Sequence, residues 1–188
     1  MTCIVGINDQ QKIIIAGDNL GSSKLDCIQD KKPKVFKKGD FIFGICGSYK
    51  VMRIIEYIFE LPKREVEQDR DKYIYKAFFQ SIIKCLSDNN AIYKEKEEVF
   101  WNGELLFGYQ DELYCLSDNF QINSSTRDYL ATGSGKYHAL ASLHATQSLK
   151  IDTKERLTTA IQSADEFVIS VDNKIDYVEL EKPLTQEK

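Results

Sequence analysis

No apolar run in this sequence approaches the roughly 20 residues that a bilayer span requires, and the apolar run at 41–47 is far shorter. The first 20 residues also lack the basic start and the long apolar centre of a secretion signal. These absences argue against a membrane-embedded or secreted protein. We therefore expect a cytoplasmic protein with no membrane contact.

Histidine and closely spaced cysteine pairs are scarce as well. The sequence has two histidines, His138 and His144, and five cysteines, none of which form a Cys-x-x-Cys pair. An odd number of scattered cysteines indicates reduced thiols rather than disulfides or zinc ligands. The sequence therefore predicts no metal site and no cofactor. A net charge of only -4 gives no sign of nucleic-acid binding.

The overall composition is that of an ordinary globular protein. Hydrophobic residues make up 43% of the sequence and charged residues 29%. No linker-like or low-complexity stretch divides the chain. We therefore expect a single domain over residues 1–188.

The beginning of the chain predicts a β-hairpin. Apolar runs at 3–7 and 13–16 flank the polar turn Asn8-Asp-Gln-Gln11. If the initiator Met is removed, Thr2 becomes the first residue and carries a free amine beside its hydroxyl. A hydroxyl attacks only when a base takes its proton, and an α-amino group with a pKa of about 7.7–8.0 can do so. A threonine in this position usually has no such role, so the rest of the sequence must decide.

The remaining pattern alternates strands with pairs of helices. Strands are expected at 34–38, 41–47, 104–109, 113–116 and 129–132, and a final hairpin at 167–171 and 175–180. Helices are expected at 51–59, 74–86, 136–148 and after Asp152, whereas 19–30, 89–98 and 117–128 are expected to be mainly connections. This order permits an α+β fold, a four-layer αββα sandwich with two antiparallel sheets between helix layers.

Two charged residues lie where strands could bring them near Thr2. Asp18 ends the second strand and Lys34 begins the third. A neighbouring carboxylate would keep a partly buried ammonium charged, although burial alone lowers the pKa of a lysine. Such a fixed cation would lower the cost of forming the Thr2 alkoxide. Spacing alone leaves this arrangement open.

Glycines and a serine at element ends are further candidates. Gly44 and Gly47 lie in the strand that precedes the first helix, where they either allow close packing or leave a backbone N–H facing an oxyanion. The Gly133-Ser-Gly-Lys136 stretch is not a phosphate-binding loop, because its flanking residues break that motif. Ser134 is expected to cap a helix, to face the Thr2 amine, or both. His138 and His144 are interpreted as structural or surface residues.

Five motifs follow one another along the chain: Thr2-Cys-Ile-Val5, Ala16-Gly-Asp18, Lys34-Val35, Phe43-Gly-Ile-Cys-Gly47 and Ala131-Thr-Gly-Ser-Gly135. Together they resemble the proteasome β-subunit family, most nearly the bacterial HslV peptidase. The resemblance extends from Thr2 to about Leu180. It implies an N-terminal nucleophile hydrolase with an αββα sandwich fold, a threonine-type peptidase that cleaves unfolded proteins through an acyl-enzyme.

The resemblance also assigns roles to individual residues. Thr2 is implied to be the nucleophile and, through its amine, the base, and Asp18 and Lys34 the supporting ion pair. Gly44, in preference to Gly47, is implied to provide the oxyanion-hole N–H, and Ser134 is implied to bind near the amine. The implied substrate-binding residues are Gly21 and Ser22, which would pair with an extended substrate, together with Ile42, Cys46, Gly47 and Lys50 around the specificity pocket.

Assembly follows from the same resemblance. Family members form stacked rings of six or seven subunits, so we expect a homo-oligomeric ring acting on polypeptide substrates. The sequence leaves open whether an ATP-dependent unfoldase is a partner. The chain departs from the family pattern at 162–166, where Ser163 or Asp165 would have to replace a further Asp and Ser. Two alternatives therefore stay open, a catalytically inactive ring or scaffold subunit and an N-terminal nucleophile amidase that acts on a small molecule.

Overall fold

Two antiparallel sheets form the centre of the molecule in a computed structural model, which describes residues 2–22 and 26–183. The first seven strands are β1 Cys3–Asn8, β2 Lys12–Asp18, β3 Leu20–Ser22, β4 Cys27–Gln29, β5 Val35–Lys38, β6 Phe41–Gly47 and β7 Ile92–Glu95. The next six are β8 Glu98–Trp101, β9 Gly103–Tyr109, β10 Glu112–Leu116, β11 Ile122–Ser124, β12 Tyr129–Gly133 and β13 Ile175–Glu181.

The helices fall into two groups. In the first group, α1 Tyr49–Arg53 continues into a π-helical turn at Ile54–Ile58. The same group contains α2 Arg70–Lys72, a π-helical segment Tyr73–Phe78 and α3 Phe79–Asp88 in one continuous run. The second group consists of α4 Lys136–Ala145 and α5 Thr153–Phe167. Asp152 caps α5 through a hydrogen bond from the Lys154 N–H.

The strand order separates the two sheets clearly. One sheet has the order β12-β1-β2-β13, and the other has the order β11-β10-β9-β6-β5. The pairs β3–β4 and β7–β8 form two small additional sheets. The hairpin predicted at the chain start is therefore the centre of the four-stranded sheet.

Alternation along the strands produces four layers, because successive side chains point to opposite faces of a sheet. In β1, Cys3 and Val5 pack with α4 and α5, whereas Ile4 packs between the sheets. In β6, Phe41 and Phe43 pack with the first helix group, whereas Ile42 packs between the sheets. The predicted αββα sandwich is confirmed.

Two local predictions were wrong. The expected hairpin at 167–171 and 175–180 does not form, because Phe167 is the last residue of α5 and β13 pairs with β2 instead. A short apolar run does not distinguish a helix end from a strand. The expected connection at 89–98 contains the β7 strand, which pairs with β8 in an exposed hairpin with little apolar alternation to reveal it.

None of the helices in residues 2–22 and 26–183 has the length and apolar character needed to cross a membrane.

Candidate active site

The candidate site lies where the ends of three strands meet. Thr2 directly precedes β1, and Asp18 is the last residue of β2. The Cys3 N–H donates a hydrogen bond of 2.8 Å to the Asp18 carboxylate, which fixes that carboxylate beside the chain start. Lys34 comes from the opposite sheet, directly before β5. The site is therefore built across the gap between the two sheets.

The Lys34 ammonium connects the other two side chains. Its Nζ lies 2.8 Å from Thr2 Oγ1 and 3.0 Å from each Asp18 carboxylate oxygen. The Leu20 carbonyl accepts a further hydrogen bond from Nζ at 2.6 Å. The triangle that the sequence left open is thus present, and the ammonium faces the hydroxyl directly.

Burial makes this cluster electrostatically strong. The exposed fractions of Thr2, Asp18 and Lys34 are 4%, 0% and 2%. Burial lowers the pKa of Lys34 below its ordinary value, and the negative charge of Asp18 opposes that shift. Burial also raises the pKa of Asp18, which Lys34 and the Cys3 N–H oppose. Poor screening by water makes the Lys34 charge effective at the Thr2 oxygen.

The turn after β12 holds the backbone of Thr2. Thr2 N lies 3.2 Å from Ser134 Oγ, and the Ser134 hydroxyl and the Gly135 N–H approach the Thr2 carbonyl at 3.2 and 3.3 Å. Gly133 has a φ of +90°, and a Cβ there would overlap the Thr2 carbonyl. Only glycine fits at this contact.

Ser170 is a site residue that sequence reasoning missed. It is 1% exposed, and its hydroxyl lies 3.2 Å from that of Ser134. Ser163 and Asp165, which would have to replace a further Asp and Ser of the family pattern, do not line the cleft at Thr2. The Ser163 hydroxyl donates to the Thr159 carbonyl within α5, and Asp165 lies on the same helix outside the cleft. The wrong assignment of 167–171 to a strand concealed Ser170.

Thr2 and Lys34 open onto a cleft of about 150 Å³. Gly21 and Ser22 of β3 form part of its wall, at the place where the resemblance implies substrate pairing. The end of β6 and the start of α1 complete the wall, and apart from Gly47 these residues were not predicted from the sequence. The remaining lining residues are Gly47, Ser48, Tyr49 and Met52.

The preference for Gly44 over Gly47 does not fit this geometry. Ile45 N–H donates towards β5, to the Lys34 carbonyl, at 3.0 Å. Hydrogen bonds alternate between the two neighbours of a central antiparallel strand, so the Gly44 N–H faces Leu106 of β9 and the Gly47 N–H faces the Lys34 side. Gly44 is enclosed between the sheets, whereas Gly47 ends β6 in the cleft wall.

Three residues expected around the specificity pocket lie elsewhere. Ile42 is fully buried between the sheets. Cys46 faces the same layer, with Sγ 3.8 Å from a Glu104 oxygen. Lys50 donates a hydrogen bond of 2.8 Å to the Asn90 carbonyl on the surface. The chain enters α1 after Gly47, and this brings Tyr49 and Met52 to the cleft in their place.

Within the described ranges, 2–22 and 26–183, no three His, Cys, Asp or Glu side chains are grouped to hold a metal ion. The site consists of a hydroxyl, a buried cation and backbone hydrogen-bond donors. This arrangement is suited to activating a hydroxyl and to stabilising a developing negative charge.

Solved structures with the same fold are proteasome-like N-terminal nucleophile hydrolases. BPH of Thiobacillus denitrificans has a TM-score of 0.81 and 16% identity, with 97% of this chain and 99% of that chain covered. BPH has also been solved in complex with epoxomicin, and that structure has a TM-score of 0.77 and 17% identity, with 96% of this chain and 99% of that chain covered.

Two further neighbours have lower scores. HslV of Trypanosoma brucei has a TM-score of 0.70 and 14% identity, covering 95% of this chain and 99% of that chain. Anbu, an ancestral β-subunit from Yersinia bercovieri, has a TM-score of 0.69 and 10% identity, covering 95% and 81%. No family model and no curated protein matches the sequence. The predicted resemblance is therefore confirmed at the level of the fold.

Proposed function

We propose that this chain, which has the fold of proteasome-like N-terminal nucleophile hydrolases, is a threonine-type peptidase. The observation that carries the proposal is the 2.8 Å contact between Lys34 Nζ and Thr2 Oγ1 beside an open cleft. A buried cation at that distance stabilises an alkoxide and has no comparable effect on a neutral hydroxyl. A threonine whose side chain serves only packing does not require it.

The first chemical step needs the amine of Thr2, which becomes free when the peptide bond before Thr2 is cleaved. The neutral amine takes the hydroxyl proton while Oγ1 attacks the substrate carbonyl carbon. The Lys34 charge favours both the neutral amine and the developing alkoxide. The carbonyl oxygen becomes an oxyanion, which the Gly47 N–H stabilises from the end of β6.

Collapse of the tetrahedral intermediate breaks the scissile C–N bond. The protonated amine of Thr2 gives its proton to the leaving nitrogen, and an ester remains on Oγ1. Water then attacks that ester, again with the Thr2 amine as base, and releases the acid product and the free hydroxyl. Atoms and protons balance over the cycle without any cofactor.

Polypeptide is the substrate class that the cleft supports best. Gly21 and Ser22 line it as a short extended segment, and such a segment can add a substrate strand through backbone hydrogen bonds. BPH, which shares this fold, binds epoxomicin. We further propose that the chain acts as a subunit of a self-compartmentalised homo-oligomeric ring on unfolded proteins. An ATP-dependent unfoldase remains a candidate partner.

Intact-mass spectrometry with an epoxyketone or vinyl sulfone probe tests the proposal. We expect loss of Met1 and a single covalent adduct on Thr2 in the wild-type protein. Thr2→Ala removes the nucleophile and should abolish both the adduct and the hydrolysis of an unfolded protein. Ser48→Ala, which changes a neighbouring hydroxyl in the same cleft wall, should still be labelled.

Other outcomes separate the alternatives. An unprocessed, unlabelled chain that still forms rings would indicate an inactive scaffold subunit. Labelling accompanied by hydrolysis of small amides but not of unfolded protein would indicate an amidase.

A further inference from the structure

Glu104 is a partly buried carboxylate at the junction of the two sheets. It is the second residue of β9 and pairs with Cys46, the residue before Gly47. Its side chain reaches the opposite sheet, where Oε2 accepts hydrogen bonds from the Thr132 hydroxyl and, at 3.1 Å, from the Gly133 N–H. One carboxylate therefore connects the strand of Gly47 to the turn that holds Thr2.

Further donors surround the same carboxylate. Lys136 Nζ lies 3.4 Å from Oε1, and the Cys46 thiol lies 3.8 Å from Oε2. Burial acts to raise the pKa of Glu104, but the hydrogen bonds from Thr132 and Gly133 and the Lys136 charge outweigh it, so the pKa lies below its ordinary value. The group is thus a charged bridge with hydrogen-bond donors at both carboxylate oxygens, and such a network can fix the geometry of a partly buried carboxylate.

The bridge lies between the parts of the site that must keep their spacing. Thr2 and Ser134 belong to the four-stranded sheet and its β12 turn, whereas Lys34 and Gly47 belong to the five-stranded sheet. The Lys34–Asp18 ion pair joins the sheets on one side of Thr2. On the other side of Thr2, the sheets are joined by the hydrogen bond that the Gly133 N–H donates to Glu104. Gly133 itself packs directly against the Thr2 carbonyl.

We propose that Glu104 is a positioning residue that sets the distance between Thr2 and Gly47 by fastening the two sheets together. It touches no reacting atom, and its catalytic consequence rests on the proposed function. Because misplacement of reacting groups by about 1 Å costs about a hundredfold in rate, loss of this bridge should lower kcat with little effect on KM.

The test compares Glu104→Ala with a matched control, Glu112→Ala. Glu112 is also a partly buried carboxylate with a cationic partner, Arg70 at 3.8 Å, but it lies opposite Tyr109 at the far end of β9. In Glu104→Ala we expect kcat to fall about ten- to a hundredfold, with KM changed less than about threefold. Glu112→Ala should keep the wild-type kcat, and Glu104→Gln, which retains an acceptor oxygen, should recover part of the loss.

Two further measurements distinguish positioning from general stability. If Glu104 acts through the Ser134 turn, Glu104→Ala should lower kcat much less in a Ser134→Ala background than in the wild-type protein. The reason is that the effects of coupled residues are not additive. Amide hydrogen exchange should increase in a peptide covering 129–135 of Glu104→Ala and stay unchanged in Glu112→Ala. The exchange measurement needs no turnover. It therefore tests whether Glu104 fastens the two sheets even if the wild-type protein fails to react with the probe.

Exchange at 129–135 equal to that of the control would overturn the proposal. Additive losses in the double variant, or a lower melting temperature with unchanged kcat in the folded enzyme, would also overturn it. Failure of wild-type labelling would contradict the peptidase function instead.

Discussion

A lysine that is 2% exposed is rare unless partners compensate its desolvation. Lys34 has three kinds of acceptor, the Asp18 carboxylate, the Leu20 carbonyl and the Thr2 hydroxyl. All of them lie at or beside the start of β1 or the end of β2. The ion pair therefore stabilises the fold where these strand ends meet, in addition to its proposed role in the chemistry.

Removal of one partner from this pair should destabilise the protein strongly. We expect Lys34→Met to reduce the free energy of unfolding by about 3–5 kcal/mol, because Asp18 is then buried without a counter-charge. The double variant Asp18→Asn with Lys34→Met should be less destabilised, since no lone charge remains. Urea unfolding at neutral pH measures both, and a single variant as stable as the double would contradict the expectation.

Tyr49 should control which substrate side chains fit. Within the part of the chain that the structure describes, its buried hydroxyl has no hydrogen-bond partner, and it packs so closely on Gly21 that a Cβ there would overlap it. Tyr49→Ala should raise kcat/KM for peptides with a large residue before the scissile bond, relative to Ala, by about tenfold or more. Tyr49→Phe, which keeps the ring, should leave this ratio unchanged, and an equal shift in both variants would contradict a steric role.

Four of the residues that the sequence proposed for the site lie together in the structure. They lie next to strand ends, which apolar periodicity predicts, and they are Thr2, Asp18, Lys34 and Ser134. The choice between Gly44 and Gly47 depends on which neighbour each N–H faces, and that is set by the register with β5 and β9. Glu104 and Ser170 approach the site from distant segments, and no local pattern marks them.

At the scale of elements, glycine in β6 sets how closely the sheets approach. A Cβ on Gly44 would lie 2.5 Å from Ile4 Cγ2 and 2.8 Å from Ile15 Cγ2, both in the opposite sheet. The same strand contributes Phe41 and Phe43 to the helix side of the sheet. Substitution of Gly44 therefore acts on the spacing of two whole sheets.

We expect Gly44→Ala to lower stability by about 1–3 kcal/mol, the usual cost of overpacking a filled core. Lys37→Ala, an exposed position on the neighbouring strand β5, should change it by less than about 0.5 kcal/mol. Chemical denaturation monitored by Trp101 fluorescence measures both. Equal stability of wild type and Gly44→Ala would mean that the sheets can move apart to accommodate a methyl group without loss of free energy of unfolding.

Elements with a strong apolar period were predictable, whereas polar or irregular ones were not. The hairpin of β1 and β2 and the buried strand β6 were found because one or both faces are apolar. The β7–β8 hairpin was missed because most of its residues are exposed. The end of α5 was misread because Phe167 and Ile169 are apolar yet exposed at 71% and 93%.

On the scale of the whole molecule, those two side chains belong to an apolar surface at one end of the α4–α5 pair. Tyr137 of α4 is 73% exposed, and its neighbour His138 stacks on Phe167. Apolar side chains clustered at one place on a surface mark contact sites. This end of the helix pair also lies next to Ser134, which contacts Thr2, and Ser170, which contacts Ser134.

We expect the wild-type protein to sediment as a homo-oligomer, in keeping with the proposed ring. The double variant Phe167→Glu with Ile169→Glu should shift the distribution towards smaller species, because charge replaces contact area. Val66→Glu, a change at an isolated position that is 100% exposed, should leave the distribution unaltered. Sedimentation velocity measures all three, and a monomeric wild type would contradict both the ring and the assigned contact surface.

The backbone contacts of Thr2 have one more consequence. Ser134 and Gly135 hold its nitrogen and its carbonyl oxygen, atoms that exist whether or not another residue is attached ahead of them. Precursor and trimmed chain should accordingly superimpose, with the Thr2 hydroxyl and Lys34 already in place and only the free amine missing. Activation therefore requires the hydrolysis of one peptide bond and no rearrangement of the chain. The precursor would be inactive because its amine is blocked, although its conformation is already that of the active protein.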